Sequence, residues 1–252
     1  MIALLTDFGI KDGFVGTLKG VIKNINPSVD IIDISHDINS FDILEGALVL
    51  RASFSYFPKG TIFCVVIDPG VGTKRDPIII KTENYYFVAP DNGVLSLALE
   101  KEKIKKIIKI ENEKYLLPRD NNTFHGRDIF APVSAYISKK IPLNEFGQEK
   151  KDYKKIVLPK LKIEIKQIIG EIIKFDKFGN AITNIEDLPS FKIGYVKGFK
   201  INKLVNSFLE GEKNNLNIIK GSFGFYELFT PMENAKEKFN LKKGDKVVIE
   251  IE

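Results

Sequence analysis

Within its first 68 residues the chain alternates short apolar runs with amphipathic stretches, an order that leaves few folds open. Ile2 to Thr6 predicts a buried strand ending at Asp7, and Phe14, Val15, Leu18, Val21 and Ile22 carry the spacing of a helix that stops before Pro27. Val29 to Ile34 predicts a second strand, Asp42 to Phe57 a mostly apolar helix closed by Pro58-Lys59-Gly60, and Thr61 to Ile67 a third strand. This β-α-β-α-β succession predicts an α/β fold with a mainly parallel sheet flanked by helices. Ile78 to Lys81 and Tyr85 to Val88 flank Thr82-Glu83-Asn84 as a hairpin, Pro90-Asp91-Asn92-Gly93 is a turn, and another helix is expected from about Ile129 to Lys139.

After Gly147 the texture changes to a Lys-rich stretch and then to short alternating strands: Lys166 to Phe175, Lys192 to Val196, Leu216 to Ile219 and Lys246 to Ile251. A smaller, antiparallel, β-barrel-like domain is expected there. The division is therefore an α/β domain over residues 1–150 and a β-rich domain over 151–252, a length of 252 residues being ample for two cores. Two domains create a cleft, a usual place for a small ligand.

Composition excludes more than it identifies. The 38 Lys and Arg against 33 Asp and Glu are dispersed, which argues against nucleic acid as a partner. No apolar run approaches the roughly 20 residues of a spanning helix, so no membrane insertion is expected. A single cysteine gives no internal disulfide framework, and Met-Ile-Ala-Leu-Leu-Thr-Asp has no basic n-region, so a cytoplasmic protein is expected. No Cys/His cluster has zinc-site spacing, and no metal is expected.

Chemistry-bearing residues gather at predicted strand ends and loops. Asp7 and Asp12 lie in Thr6-Asp7-Phe8-Gly9-Ile10-Lys11-Asp12-Gly13; a carboxylate after a first strand can hold a ribose diol, or it can cap the following helix. Asp-Phe-Gly and the later Gly126-Arg127-Asp128 occur in the wrong order for a kinase. The run Asp68-Pro69-Gly70-Val71-Gly72-Thr73-Lys74-Arg75 resembles the start of a dinucleotide fingerprint, but the next element reads as a strand, so no helix N-terminus is available for a pyrophosphate. Asp68 and Arg75 form either an exposed ion pair on a glycine turn or a converging pair able to orient water. His36 reads as structural, whereas His125, in a loop just before a helix, is as readily catalytic as structural. Cys64 reads as an inert buried thiol. In the second domain, Phe175-Asp176-Lys177-Phe178-Gly179-Asn180 is either a β-turn capped by its own side chains or a place where an amide reads adenine and an aromatic stacks on it.

Taken in order, eight segments resemble the S-adenosylmethionine hydroxide adenosyltransferase family, relatives of the fluorinating and chlorinating enzymes. They are Thr6-Asp7-Phe8-Gly9, Ser35-His36-Asp37-Ile38, Leu44-Glu45-Gly46-Ala47, Asp68-Pro69-Gly70-Val71-Gly72, Ala89-Pro90-Asp91-Asn92-Gly93, Phe124-His125-Gly126-Arg127, Pro142-Leu143-Asn144-Glu145-Phe146-Gly147 and Phe178-Gly179-Asn180-Ala181-Ile182-Thr183-Asn184-Ile185. The resemblance implies hydrolysis of S-adenosylmethionine to adenosine and methionine, with the substrate itself the only small-molecule partner and no cofactor. It implies Asp68, Arg75 and His125 as the catalytic triad. By the same correspondence Asp7 holds the ribose hydroxyls, Asp12 lies near the methionine carboxylate, Asp176 and Ser222 hold the ammonium, Asn180 reads adenine, and Phe178 and Phe208 enclose it. It further implies a homotrimer with each active site between subunits.

The halogenating relatives carry Tyr where this chain has Asp68, and hydroxyl residues where it has Val71 and Gly126. A negative charge beside the attacking position repels a halide and favours water. A nucleoside-binding or sensing protein without turnover is the alternative, and a nucleoside halogenase a distant third. A pure binder has no need of Asp68, Arg75 and His125 together.

Overall fold

Strand β1 (Ile2–Thr6) is buried along all five residues, and its alternate side chains serve two different cores. Ile2 and Leu4 point into one apolar cluster, Ala3 and Leu5 into the other. That is the pattern of a strand at the centre of a sheet covered on both faces. The computed structural model describes residues 1–252, which divide into two compact units, Met1–Ile156 and Val157–Glu252.

In the first unit β1 is followed by α1 (Phe14–Ile25), β2 (Ile31–Ser35), α2 (Ile43–Ser53), β3 (Ile62–Val66), β4 (Pro77–Thr82), β5 (Tyr86–Pro90), α3 (Ser96–Leu99), β6 (Ile104–Lys109) and α4 (Ala131–Ser138). The sheet order is β2-β1-β3-β5-β4-β6. β2, β1, β3 and β5 run parallel, while β4 pairs antiparallel with β5 and β6. On one face Leu18 and Ile22 of α1 and Val133 and Ala135 of α4 pack on Leu4, Cys64 and Val88. On the other, Leu50, Phe54 and Ala98 pack on Leu5, Phe63 and Phe87. Asp42 caps α2 by accepting from the Glu45 amide at 2.9 Å, as an Asp at a helix start does.

The expected helix from 129 to 139 starts earlier: Gly126–Phe130 form one π-helical turn that runs straight into α4. π-turns are rare and concentrate at functional sites, and this one begins beside His125. The strand β6 and the four-residue α3 have no counterpart in the sequence reading, because the paired lysines and isoleucines of Ile104–Lys109 do not alternate and so brief a helix gives little periodic signal. Residues 150–156 pack on the first unit: Lys150 bridges Asp76 and Asp91, and the Lys154 amide donates to Asp91 at 2.7 Å.

The second unit contains β7 (Lys162–Glu164), β8 (Gln167–Phe175), β9 (Ala181–Thr183), β10 (Ile193–Val196), β11 (Phe199–Val205), β12 (Leu216–Lys220), β13 (Tyr226–Phe229), α5 (Ala235–Lys238) and β14 (Lys246–Glu250). Seven of the strands close into a barrel in the order β14-β10-β11-β12-β13-β9-β8, because β14 pairs with both β10 and β8; β7 extends from β8 outside the ring. All contacts round the ring are antiparallel except β11–β12. The interior is filled by alternate residues such as Ile172, Ile201, Ile218, Leu228, Val247 and Ile249.

β14 is the closing strand, and Ile249 is fully buried within it. Ile249→Ala should lower the unfolding free energy by about 3 kcal/mol, the usual range for emptying a packed core position. Ile163→Ala, at a site 71% exposed, should change it by less than about 0.5 kcal/mol. Urea unfolding compares the two, and equal losses would contradict the barrel interior described.

Candidate active site

Parallel register places the first group of polar residues. Thr6 of β1 is opposite Val66 of β3, so Asp7 and Asp68 leave the same edge of the sheet on neighbouring strands. Asp7 does not cap α1, whose N-terminus has no side-chain cap. It accepts a 2.8 Å hydrogen bond from the amide of Phe41, a residue held at φ 69°. A left-handed phenylalanine is uncommon and costs energy, so this loop conformation is enforced by its surroundings. Burial raises the Asp7 pKa above the ordinary carboxylate value, the negative charge of Asp68 adds to the rise, and the Phe41 amide opposes it.

The loop from Asp68 to Arg75 is wound by successive turns: Val71 N donates to Asp68 O, and Thr73 N and Oγ1 both donate to Gly70 O. Gly72 sits at φ 75°, where a Cβ would come within 2.8 Å of the Asn122 carbonyl oxygen, so glycine is required. The outcome is a side-on ion pair. Arg75 Nε lies 3.0 Å from both Asp68 oxygens, and Arg75 Nη2 also donates to Asp68 Oδ2. Both side chains are 5% exposed, which overturns the surface ion pair as a reading of this turn. The same Nη2 lies 2.7 Å from His125 Nδ1, and the guanidinium stacks over Phe130 at 5.3 Å.

His125 is buried at the start of the π-turn, and its Nε2 has no protein partner. Burial lowers its pKa, Arg75 lowers it further, Asp68 pulls the other way, and Arg119 and Asp128 contribute smaller opposing effects. His36 is structural, as read: it is buried, with Nδ1 2.8 Å from Thr6 Oγ1 and Nε2 3.1 Å from Asp33. Cys64 is buried, and its thiol pKa is pushed up to about 12 by desolvation. Asp12 is exposed and stands apart from the Asp7–Asp68–Arg75–His125 group in its hydrogen bonding.

In the second unit, Asp176, Phe178, Asn180, Phe208 and Ser222 all line one cavity of about 720 Å³. The turn is built as its bland reading has it: Asp176 Oδ1 accepts from the amides of Phe178 and Asn180 at 2.9 and 2.8 Å, and Oδ2 from Asn180 Nδ2 at 2.8 Å. Yet that turn forms the cavity wall and leaves the Asn180 side-chain carbonyl uncommitted. Phe178 and Phe208 are 75% and 45% exposed, aromatic surface of the kind a planar ligand covers.

Glu227, on β13, is a residue the sequence reading did not single out. It lines the same cavity, and its pKa is pushed up to about 7, first by desolvation and then by the charge of Asp176. Its signal was an acid within an otherwise apolar run, Tyr226-Glu227-Leu228-Phe229, on the strand face opposite Leu228. Phe41 was invisible too, because its contribution is a backbone N–H.

A mainly parallel α/β unit with a carboxylate–arginine–histidine cluster at its carboxyl edge, joined to a seven-stranded barrel with an acid- and aromatic-lined cavity, defines a two-unit protein built to hold a polar, aromatic small molecule. Residues 2–147 match the N-terminal domain model of SAM hydroxide adenosyltransferase and residues 170–248 its C-terminal domain model, and the chain belongs to that family. It is 40% identical to the (R)-S-adenosyl-L-methionine hydrolase of Methanocaldococcus jannaschii, across 99% of this chain and 95% of the relative. The fluorinase of an Actinoplanes species is 28% identical over 77% of this chain and 75% of its own. The crystal structure of a conserved protein from Thermotoga maritima superposes with a TM-score of 0.91 at 37% identity, covering 99% of both chains.

Glu227 gives this unit a pH signature. Its folded pKa lies above its ordinary 4.5, so the folded state favours the protonated acid. Stability from this group is full below about 4.5, falls as pH rises towards 7, and stays low above it. Glu227→Gln should therefore raise the urea midpoint relative to wild type more at pH 8 than at pH 4.5; no pH dependence of that difference would contradict the raised pKa.

Proposed function

We propose that this protein hydrolyses S-adenosylmethionine to adenosine and methionine, with water attacking the ribose 5′ carbon in line with the C–S bond. The observation that carries the proposal is the buried chain Asp68–Arg75–His125, drawn from two distant loops and set one strand away from Asp7. The sulfur leaves as a neutral thioether, so the step needs no general acid, and the proposal calls on no metal or redox cofactor. What it needs is a water presented in line and polarised, and a fixed carboxylate, guanidinium and imidazole serve that end.

The remaining groups take the substrate's other parts. Asp7, with one lobe on the Phe41 amide, retains lone pairs for ribose hydroxyls. Asp12 is assigned to the methionine carboxylate end, acting through intervening donors. Asn180 reads the adenine edge, Phe178 and Phe208 enclose the ring, and Asp176 with Ser222 holds the methionine ammonium, with Glu227 as a second acid on the same cavity. A carboxylate at Asp68 disfavours a halide at the attacking position, which separates this chain from the fluorinases.

The same proposal includes a homotrimer, in which Asp7 and the triad of one subunit meet the Asn180 cavity of its neighbour. Ile10 at 83% and Phe41 at 70% exposed near Asp7, and Met232 at 89% beside the barrel cavity, are apolar surfaces that assembly or substrate would cover. It also places the protein in the cytoplasm, in keeping with its one, buried cysteine. No helix is long and apolar enough to cross a membrane.

Incubation with S-adenosylmethionine and chromatography of the products tests the activity directly, adenosine and methionine appearing in equal amounts. Asp68→Ala should abolish adenosine formation while adenosine binding stays measurable; turnover equal to wild type would remove the triad from the mechanism. Asn180→Ala should raise KM by about tenfold or more with a smaller change in kcat, the pattern of lost uniform binding.

A further inference from the structure

The hydrogen bond between Arg75 and His125 fixes more than a position. A guanidinium carries only N–H donors and stays charged at any pH a folded protein meets. Arg75 Nη2 stands 2.7 Å from His125 Nδ1, so that ring nitrogen must be the acceptor. A neutral imidazole whose Nδ1 accepts carries its proton on Nε2. His125 Nε2 is buried and has no protein partner, which leaves an N–H donor waiting for one. Protonating the ring would set an N–H of His125 against an N–H of Arg75 at hydrogen-bonding distance.

Asp68 is placed differently. Its two oxygens accept from Arg75 Nε and Nη2, and a carboxylate has about four lone-pair sites, so accepting capacity remains. The other carboxylate at this sheet edge, Asp7, follows the neighbouring strand β1 and is bonded to the Phe41 amide of the loop before α2. We infer that Arg75 locks His125 as the neutral Nε2–H tautomer, so that His125 serves as a hydrogen-bond donor and the proton of the attacking water passes to Asp68. The proton destination rests on the hydrolase reading; the tautomer does not.

The step balances. An oxygen lone pair of water forms the bond to the ribose 5′ carbon, and the C–S bond breaks with its electron pair going to sulfur. The sulfonium becomes a neutral thioether, one water proton is taken by an Asp68 oxygen, and that proton is then released to solvent. Each turnover yields one adenosine, one methionine and one proton. The charged groups facing the imidazole are Arg75 and Asp68 on the strand-edge loop, Arg119 on the preceding segment and Asp128 on the π-turn. Burial first and Arg75 second lower the pKa of the ring against the pull of Asp68, the same direction that the Arg75 hydrogen bond to Nδ1 requires.

Nitrogen-15 NMR of the full-length protein at neutral pH tests the tautomer. There are only two histidines, so His125→Gln identifies the resonances of His125 by their loss. The expected result is a bare Nδ1 and a protonated Nε2; a protonated Nδ1, alone or with Nε2, overturns the assignment. Kinetics test the roles. Asp68→Asn still accepts from Arg75 through its carbonyl but is a far poorer proton acceptor, and should fall to the spontaneous background. His125→Gln keeps an N–H near the Nε2 position and should lose less than the roughly hundredfold that deleting a single donor costs, whereas His125→Ala should lose that much or more. His125→Gln as inactive as Asp68→Asn overturns the donor role. Wild-type protein that forms no adenosine would instead refute the hydrolase reading, and the NMR result would still decide the tautomer.

Discussion

A guanidinium that can only donate sits between a carboxylate and an imidazole, and the polar edge of the first sheet is organised around what it gives. Arg75 is held by Asp68 on one side and by the Phe130 ring beneath, and it in turn dictates which nitrogen of His125 is bare. Burying an ion pair is costly unless geometry and further hydrogen bonds compensate. Here the compensation comes from the two-point contact of Arg75 with Asp68 and from the imidazole as a further acceptor. The loop that delivers it depends on one glycine, Gly72, packed against a backbone carbonyl of the segment leading to His125. The two loops therefore fix each other, and the triad is a consequence of that mutual fit.

The barrel unit reaches its chemistry by another route. Its turn at Asp176 satisfies itself, with three hydrogen bonds to one carboxylate, and the cavity arises because the turn stands beside β13 and the segment after it. A self-satisfied turn is rigid before any ligand arrives, so little ordering remains to be done on binding. Glu227 then supplies a carboxyl whose charge state is set by its surroundings more than by its chemistry.

Much of this was legible in the order of residues. The alternation of β1, α1, β2, α2 and β3 required no tertiary information, since each is long and periodic enough to declare itself, and five of the assigned site residues fall on one cavity. Asp68, Arg75 and His125 were legible as residue types in the right loops. Their burial was not, because whether a turn folds inward depends on contacts with residues fifty positions away. Strands β6 and β11 escaped because lysines break their apolar pattern, and β13 because it is only four residues long with an acid among them. Glu227 and Phe41 escaped for opposite reasons: one is a common surface residue type placed inside, and the other acts through its backbone.

Phe41 carries one further meaning. A phenylalanine at φ 69° stores energy that glycine there would not, and the loop between β2 and α2 is tied to the segment after β1 by two hydrogen bonds, Phe41 N to Asp7 Oδ2 and Gly9 N to His36 O, both 2.8 Å. The strands on either side are packed and cannot yield cheaply. The placement of Asp7 at this edge of the sheet is thus tied to a backbone conformation and not to a ring: the Asp7 carboxylate takes the Phe41 amide, while the Phe41 side chain stays exposed and the register that aligns Asp7 with Asp68 is set by the strands alone.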